Sequence, residues 1–227
     1  ANNKIIRYLL TSKKQQQQLL RRELQIETQI FDEQDIDGLY RGLGTHYVNL
    51  HVGCPSQVQT VIVATGSSRT GFPCSECQDC DRGYHLNDLF QESSSSCFEK
   101  LSSSECPHSL SEDGQCRASV SCAAGISWSG YQAKDQVGVG GATLLEEVDL
   151  FTLQFTCQDE ITGLFRTQLA DGITGLSKSS SSLWGQMYAQ GVIQQQQFSL
   201  CYRLEEDEQV DAGILLLGGT DTRLDGT

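Results

Sequence analysis

From residue 45 onward, apolar and polar positions follow a two-residue rhythm more often than a helical one. In "HYVNLHVG" (46–53), Val48, Leu50 and Val52 alternate with Asn49 and His51, which predicts a strand with one buried face. "QTVIVATG" (59–66) is apolar without interruption, as in a strand covered on both sides, and "GCPSQ" between the two reads as a turn. "CRASVSC" and the stretch from "SGYQAKDQVGVGG" to "FTLQFTCQ" predict a hairpin and then long strands with glycine-containing turns. "QQFSLCYRL" and "GILLLGG" finish as strands. One helix is expected after residue 40, near 182–191. There a serine precedes Leu183, Trp184, Met187 and Ile193 on one face, and Gly191 stands at the stop. Before residue 40 the rhythm changes: Ile5, Ile6, Leu9, Leu10, Leu19, Leu20 and Leu24 recur at roughly helical spacing, predicting one or two amphipathic helices. The serine runs at 93–96 and 179–182 and the glutamine runs at 15–18 and 194–197 are short enough to be solvated loop positions.

Charge sharpens this division. Residues 1–22 hold Lys4, Arg7, Lys13, Lys14, Arg21 and Arg22 and no acid, so this arm carries +6. The net charge of −13 then leaves −19 on the remainder. A basic, partly apolar arm is suited to docking on an acidic body. The overall acidity argues against nucleic acid as a partner. No apolar run approaches the roughly 18 residues that span a bilayer. The start of the chain has no signal-peptide pattern, and no Asn-x-Ser/Thr acceptor for N-glycosylation occurs.

Seven of the ten cysteines crowd into residues 74–122, beginning with "CSECQDC". Cys-x-x-Cys pairs near His85 and His108 raise the possibility of zinc, whereas a polar, loop-rich insert is the usual setting for disulfides. Three cysteines at spacing three fit no common four-ligand zinc pattern, which favours disulfides, no metal and an oxidising compartment, extracellular or within the secretory pathway. The disulfide candidates are Cys54, Cys74, Cys77, Cys80, Cys97, Cys106, Cys116 and Cys122. Cys157 and Cys201 lie in apolar strands, where a free thiol is an ordinary core residue, and are the expected exceptions.

The stretch "VIVATGSS" (61–68) resembles the Asp-Thr-Gly-Ser active-site loop of pepsin-like aspartic proteases, with Ala64 where the aspartate belongs, followed by Thr65, Gly66 and Ser67. Other stretches resemble the same lobe in the same order. "GTHYVNLHVGCPSQ" is similar to the first hairpin, and "ADGITGLS" to the strand that passes beneath the catalytic loop through Ile173, Thr174 and Gly175. "LWGQMYAQGVIQQQQFSLCY" matches the following helix and strand, and "GILLLGGTD" the closing strand. The resemblance covers roughly residues 44–220, and the cysteine insert after "FPC" is most like the plasmepsin V type. It implies a mainly β fold: a single N-terminal lobe over 38–220 with an insert at 74–116. Residues 1–37 would be a basic helical arm in the position of a prosegment, and 221–227 the start of a linker to an absent second lobe. "RRELQ" at 21–25 is either a processing site or a helix turn carrying Arg and Glu.

In this family two aspartates, one per lobe, share a proton and hold the attacking water, one as base and the other as acid. Ala64 can do neither. The flap, usually Tyr-x-x-Gly-Ser, is matched by "CAAGIS", with Cys122 at the tyrosine position, then Gly125, and Ile126 at the serine position. Cys54 also departs from the usual residue, and a Cys54–Cys122 bond is one possible consequence. Departures at several functional positions favour natural loss of catalysis over a single engineered Asp-to-Ala change. The resulting expectation is a secreted non-catalytic homologue of an aspartic endopeptidase, acting in binding or assembly. The alternatives are a working endopeptidase inactivated at residue 64, or a structural subunit of an extracellular assembly. No cofactor is called for. A lone lobe would leave a broad face open, so the expected partners are a separately chained C-terminal lobe, a second copy or an assembly protein, with a peptide as possible ligand.

Overall fold

A computed structural model describes residues 32–39, 45–78, 80, 83–106, 110–111, 114–121, 126–140, 150–202 and 211–220. The hydrophobic alternation of 46–53 becomes strand β2 (Thr45–Val52), and the apolar run after it becomes β3 (Gln57–Ala64). These pair antiparallel from Tyr47↔Ile62 to Val52↔Gln57. Next come β4 (Gly71–Pro73), the short β5 (Glu99–Lys100), and β6 (Arg117–Ser121), which forms a hairpin with β7 (Ser127–Val139). The chain continues through β8 (Phe151–Ile161), β9 (Gly172–Gly175), helix α1 (Leu183–Ala189), β10 (Phe198–Tyr202) and β11 (Asp211–Leu217). The protein is mainly β, as expected.

Among the described residues the strands join one eleven-stranded sheet. Pairing of β2 with β7 closes a ring that runs β2, β3, β9, β4, β8, β7 and back to β2. Two neighbours in this ring are parallel, β3 with β9 and β4 with β8, while the others run antiparallel. Beyond β2 the sheet extends through a strand at Asp32–Leu39 (β1), then β11, to an edge at β10. The sheet therefore begins at Asp32, inside the segment 1–37 that the sequence assigns to the arm. The acidic stretch "DEQDIDGL" lacks the alternation that marks a strand, and takes its conformation from neighbours on both sides. The predicted helices before it lie outside the described residues.

The ring encloses the core. Leu50, Val61, Phe72, Phe90, Leu153 and Leu176 are fully buried, with Phe72 stacked on Phe155 at 4.6 Å between ring centroids and Phe90 edge-on to both. A second cluster gathers Trp128, Ile161 and Phe165 with the Cys77 and Cys80 side chains. Helix α1 appears where its pattern places it. The Ser182 hydroxyl caps it by accepting from Gly185 N, and Leu183, Trp184 and Met187 are buried. Its outer face does something the periodicity does not announce. The side-chain amides of Gln186 and Gln190 each bond both the N–H and the C=O of a β8 residue, Gln154 and Thr152 respectively, over 2.7–3.0 Å.

Four disulfides hold the insert. Cys77–Cys80 and Cys106–Cys116 lie within it, while Cys54–Cys97 and Cys74–Cys157 fasten it to the ring. Cysteines paired in this way present no thiolates to zinc. Two expectations are corrected. Cys54 bonds Cys97 and not Cys122, because the β2–β3 turn lies against the 95–97 loop, where Ser95 Oγ accepts from Cys54 N at 2.9 Å. Cys157 is not free, because the parallel register of β4 and β8 sets Phe72 opposite Cys157 and so brings Cys74 within bonding reach. Cys201, half-buried on β10, is the free cysteine among the described residues, and Cys122 lies outside them.

Some of the tightest contacts in the ring are between backbones. A Cβ on Gly172 would stand 2.1 Å from Gly71 O and 2.8 Å from Phe72 Cα, whereas one on Gly66 would meet nothing within 4 Å. Gly172→Ala is therefore expected to lower stability by about 3 kcal/mol or more, and Gly66→Ala to change it by less than about 1 kcal/mol. Denaturant unfolding of the two variants beside wild type checks both.

Candidate functional site

Strand β3 delivers the chain to its turn at Ala64, and β9 runs parallel beside it with Val61↔Gly172, Ile62↔Ile173, Val63↔Thr174 and Ala64↔Gly175. The turn is held by main-chain bonds. Ala64 O accepts from Ser67 N at 3.3 Å and from Leu176 N at 2.9 Å, and Ser67 O accepts from Ser177 N at 2.9 Å. Below it the Thr70 and Thr174 hydroxyls, both buried, are 2.8 Å apart. A Cβ at Gly175 would fall 2.5 Å from Arg69 N and 2.6 Å from Ser67 O, so only glycine lets the turn rest on β9. Trp184 Nε1 donates to Leu176 O at 2.9 Å and ties helix α1 to the same layer. The Ala64 side chain takes no part in this frame.

The sequence-selected residues thus divide into those brought together and those left apart. Ala64, Thr65, Gly66 and Ser67 form the turn, with Thr65 and Gly66 exposed at its tip, and Ile173, Thr174 and Gly175 form the strand directly against it. Of the flap positions, Cys122 and Gly125 lie outside the described residues. Ile126, one residue before β7, is half-buried against the Trp128 cluster together with Ile173. The cysteine insert stays on the flank: Cys74 follows β4, and the Cys74–Cys157 bond is fully buried.

Some residues that build the site carry no obvious signal in the sequence. Asp171, one step before β9, is buried, and its carboxylate accepts from Thr60 N (2.6 Å), Asn87 N (3.0 Å) and Asn87 Nδ2 (2.8 Å), joining β3, the insert and β9. A lone acid in an apolar run, next to a glycine, was the available clue. Arg69 and Gln132 were also missed. Arg69 Nη1 donates to Gln132 Oε1 at 3.2 Å across the gap between the turn and β7. Glu92 accepts from the Tyr131 hydroxyl and from the Ser75 hydroxyl, and burial together with this carboxylate pushes the Tyr131 phenol far up.

Burial also raises the Asp171 carboxyl above the ordinary aspartate range, against the lowering effect of its Asn87 and Thr60 hydrogen bonds and of His85. The folded protein therefore holds that proton more firmly than the unfolded chain does. The group's contribution to stability is fully present below the unfolded value of about 4 and declines as pH rises through the folded value. Asp171→Asn turns an acceptor into a donor facing donors and should cost about 2 kcal/mol. The stability gap between wild type and Asp171→Asn should be widest in acid and narrow as pH rises. Urea unfolding across a pH series measures it, and a gap that widens with pH would refute this account.

Residues 46–219 match the family model described as Xylanase inhibitor N-terminal, the N-terminal lobe of pepsin-like aspartic proteases. Over 179 residues the chain is 27% identical to procardosin-A of Cynara cardunculus, covering 78% of this chain and 31% of that protein. It is 29% identical to plasmepsin V of Plasmodium falciparum over 137 residues, 58% of this chain and 22% of the relative. With aspartic protease 5 of Toxoplasma gondii it shares 26% identity over 201 residues, 79% of this chain and 20% of the relative. The chain thus spans less than a third of the length of these relatives.

Proposed function

Since the chain belongs to the xylanase-inhibitor N-terminal family of pepsin-like aspartic protease lobes, we propose that it is a non-catalytic homologue of an aspartic endopeptidase that binds peptide without cutting it. The observation that carries this reading is the contrast at residue 64: the turn, its main-chain bonds and the strand against it are all present, and the carboxylate that such a turn contributes to the proton-sharing pair is not. A methyl side chain neither accepts that proton nor fixes the water. Peptide binding does not need the carboxylate, because main-chain groups and neighbouring side chains can hold a peptide without it. The departures at Cys122 and Ile126 support a loss shared across the site over a single change at 64.

Two extensions belong to the same proposal. The relatives are longer than the stretch matched here, and a second lobe, in the same polypeptide or another, is the partner proposed for the open face. The four disulfides support placement in an oxidising compartment, secreted or within the secretory pathway; no helix among the described residues is long and apolar enough to cross a membrane. The basic residues 1–22 are proposed to dock on the acidic body as a retained prosegment does.

The purified protein, supplied with any C-terminal lobe it copurifies with, should give no pepstatin-sensitive cleavage of an unfolded protein at acidic pH. Ala64→Asp alone should restore little, because the flap positions differ as well. Pepstatin-sensitive cleavage by wild type would end the proposal. For the arm, limited proteolysis after Arg22 should be slow at low salt and faster, though not unrestrained, at high salt. Charge attraction is screened over about 3 Å at 1 M, while apolar contact persists. Equal cutting at every salt would show an undocked arm.

A further inference from the structure

The chain loses one negative group at the turn and carries a positive one five positions later. Arg69 is half-buried, and among the described residues no carboxylate lies within 4 Å of it; its one side-chain hydrogen bond goes to Gln132 Oε1. The cations of the neighbouring strands are satisfied differently: Arg117 is bidentate on Asp159 at 2.7 Å, and Lys134 pairs with Glu99 and Glu105. Gln132 is itself fixed, because its Nε2 donates to Arg117 O at 3.2 Å, so it steers the guanidinium without neutralising it. A guanidinium has several N–H donors, and here one is used.

Arg69 also borders a cavity of about 30 Å³ shared with Gln132, Gln154, Thr156, Ser181 and Gln186, large enough for one or two waters or the oxygens of one carboxylate. This cavity adjoins an open groove of about 410 Å³ through Gln154, Ser181 and Gln186. On β8, two residues beyond Thr156, the Gln158 side chain is 1% exposed, and its amide nitrogen rests over Gly71 with no acceptor. The Gln158 amide does not line the cavity, whereas the Arg69 guanidinium does, and among the described residues it has no anionic partner, so it calls for an acceptor from outside.

We propose that Arg69, oriented by Gln132, forms a subsite for a peptide carboxylate, an acidic side chain or a free C-terminus, beside the turn that lacks its own acid. The inference rests on the peptide-binding reading above and adds the ligand's charge to it. Planar guanidinium and carboxylate groups pair through two parallel hydrogen bonds, and partial withdrawal from water strengthens them.

The test uses the full chain and fluorescein-labelled octapeptides of alanine and leucine that carry one Glu, Gln or Lys at each position in turn, with the C-terminus amidated or free. Anisotropy is read at about 0.02 M and about 0.5 M salt. At least one Glu position, or the free C-terminus, should bind about tenfold tighter or more than its neutral counterpart at low salt, with the advantage reduced at high salt. Amidated and free peptides distinguish the two carboxylate sources. Arg69→Gln should abolish the advantage, Arg69→Lys should keep part of it, and Arg69→Glu should turn it toward Lys peptides, a reversal that loss of a merely structural contact does not produce. Equal binding of Glu and Gln peptides to wild type, or an advantage that survives Arg69→Gln, overturns the subsite while leaving peptide binding intact. If no peptide of any charge binds, the peptide-binding reading falls with it.

Discussion

Gly71 O occupies the place where a side chain at residue 172 would begin, and Arg69 N and Ser67 O crowd the corresponding place at residue 175. This close passage of one backbone beneath another is the constraint that the rest of the lobe depends on. It lets β9 lie parallel to β3 while touching β4, and so allows six strands to close into a ring. It also lets the turn after Ala64 be held by main-chain groups and by the Thr70–Thr174 pair, with Asp171 bonding β3 to the insert just before β9 starts. Since nothing in that frame uses the side chain of residue 64, an alanine there leaves the architecture standing. In an active pair of aspartates, two like charges held close together raise the energy of the folded state unless they share a proton. A lobe without the carboxylate is free of that penalty, so losing catalysis and keeping the fold are compatible in energy as well as in shape.

The parts of this structure that the sequence discloses are those where one local rule suffices. Val48, Leu50 and Val52 alternate with polar residues and form one face of β2; Leu183, Trp184 and Met187 follow a serine and form a capped helix. The turn at 64–67 and the strand at 173–175 were legible together because their residue types match a known loop and its support in the same order. What stayed hidden depends on register and on distant neighbours. Cys157 looks like a core thiol until β4 is laid parallel to β8, and the pairing of Cys54 turns on a loop forty residues away folding back over a hairpin. Asp32–Leu39 reads as a polar arm because its strand conformation is imposed by β2 and β11. Arg69 is silent for a similar reason: whether a cation in a turn is solvated, paired or waiting for a ligand is decided by Gln132 and Thr156, more than sixty residues later in the chain.

The cysteine insert and the acidic surface serve the same scaffold from outside. Cys54–Cys97 and Cys74–Cys157 fasten a serine-rich loop region across the ring, Lys134 of β7 pairs with Glu105 of the insert, and Arg117 pairs with Asp159 between β6 and β8. The region anchors itself to the core through Phe90 and Phe98, and cross-links hold the polar remainder, which has few apolar side chains to bury. The turn after Ala64 is left on strands held by their own main-chain bonds, apart from the region that the cross-links fasten.

β4 is short and stops pairing with β8 at Thr156, which leaves Thr152 and Gln154 with main-chain groups pointing at open solvent. The amides of Gln186 and Gln190 occupy those groups, each supplying one donor and one acceptor as a strand residue does. A bare edge is a template on which any extended chain can assemble, including another molecule of the same protein. Two glutamines on one helix face therefore act as a molecular selvedge: they finish this stretch of the sheet, so that the main-chain groups of Thr152 and Gln154 are already taken when another extended chain comes near.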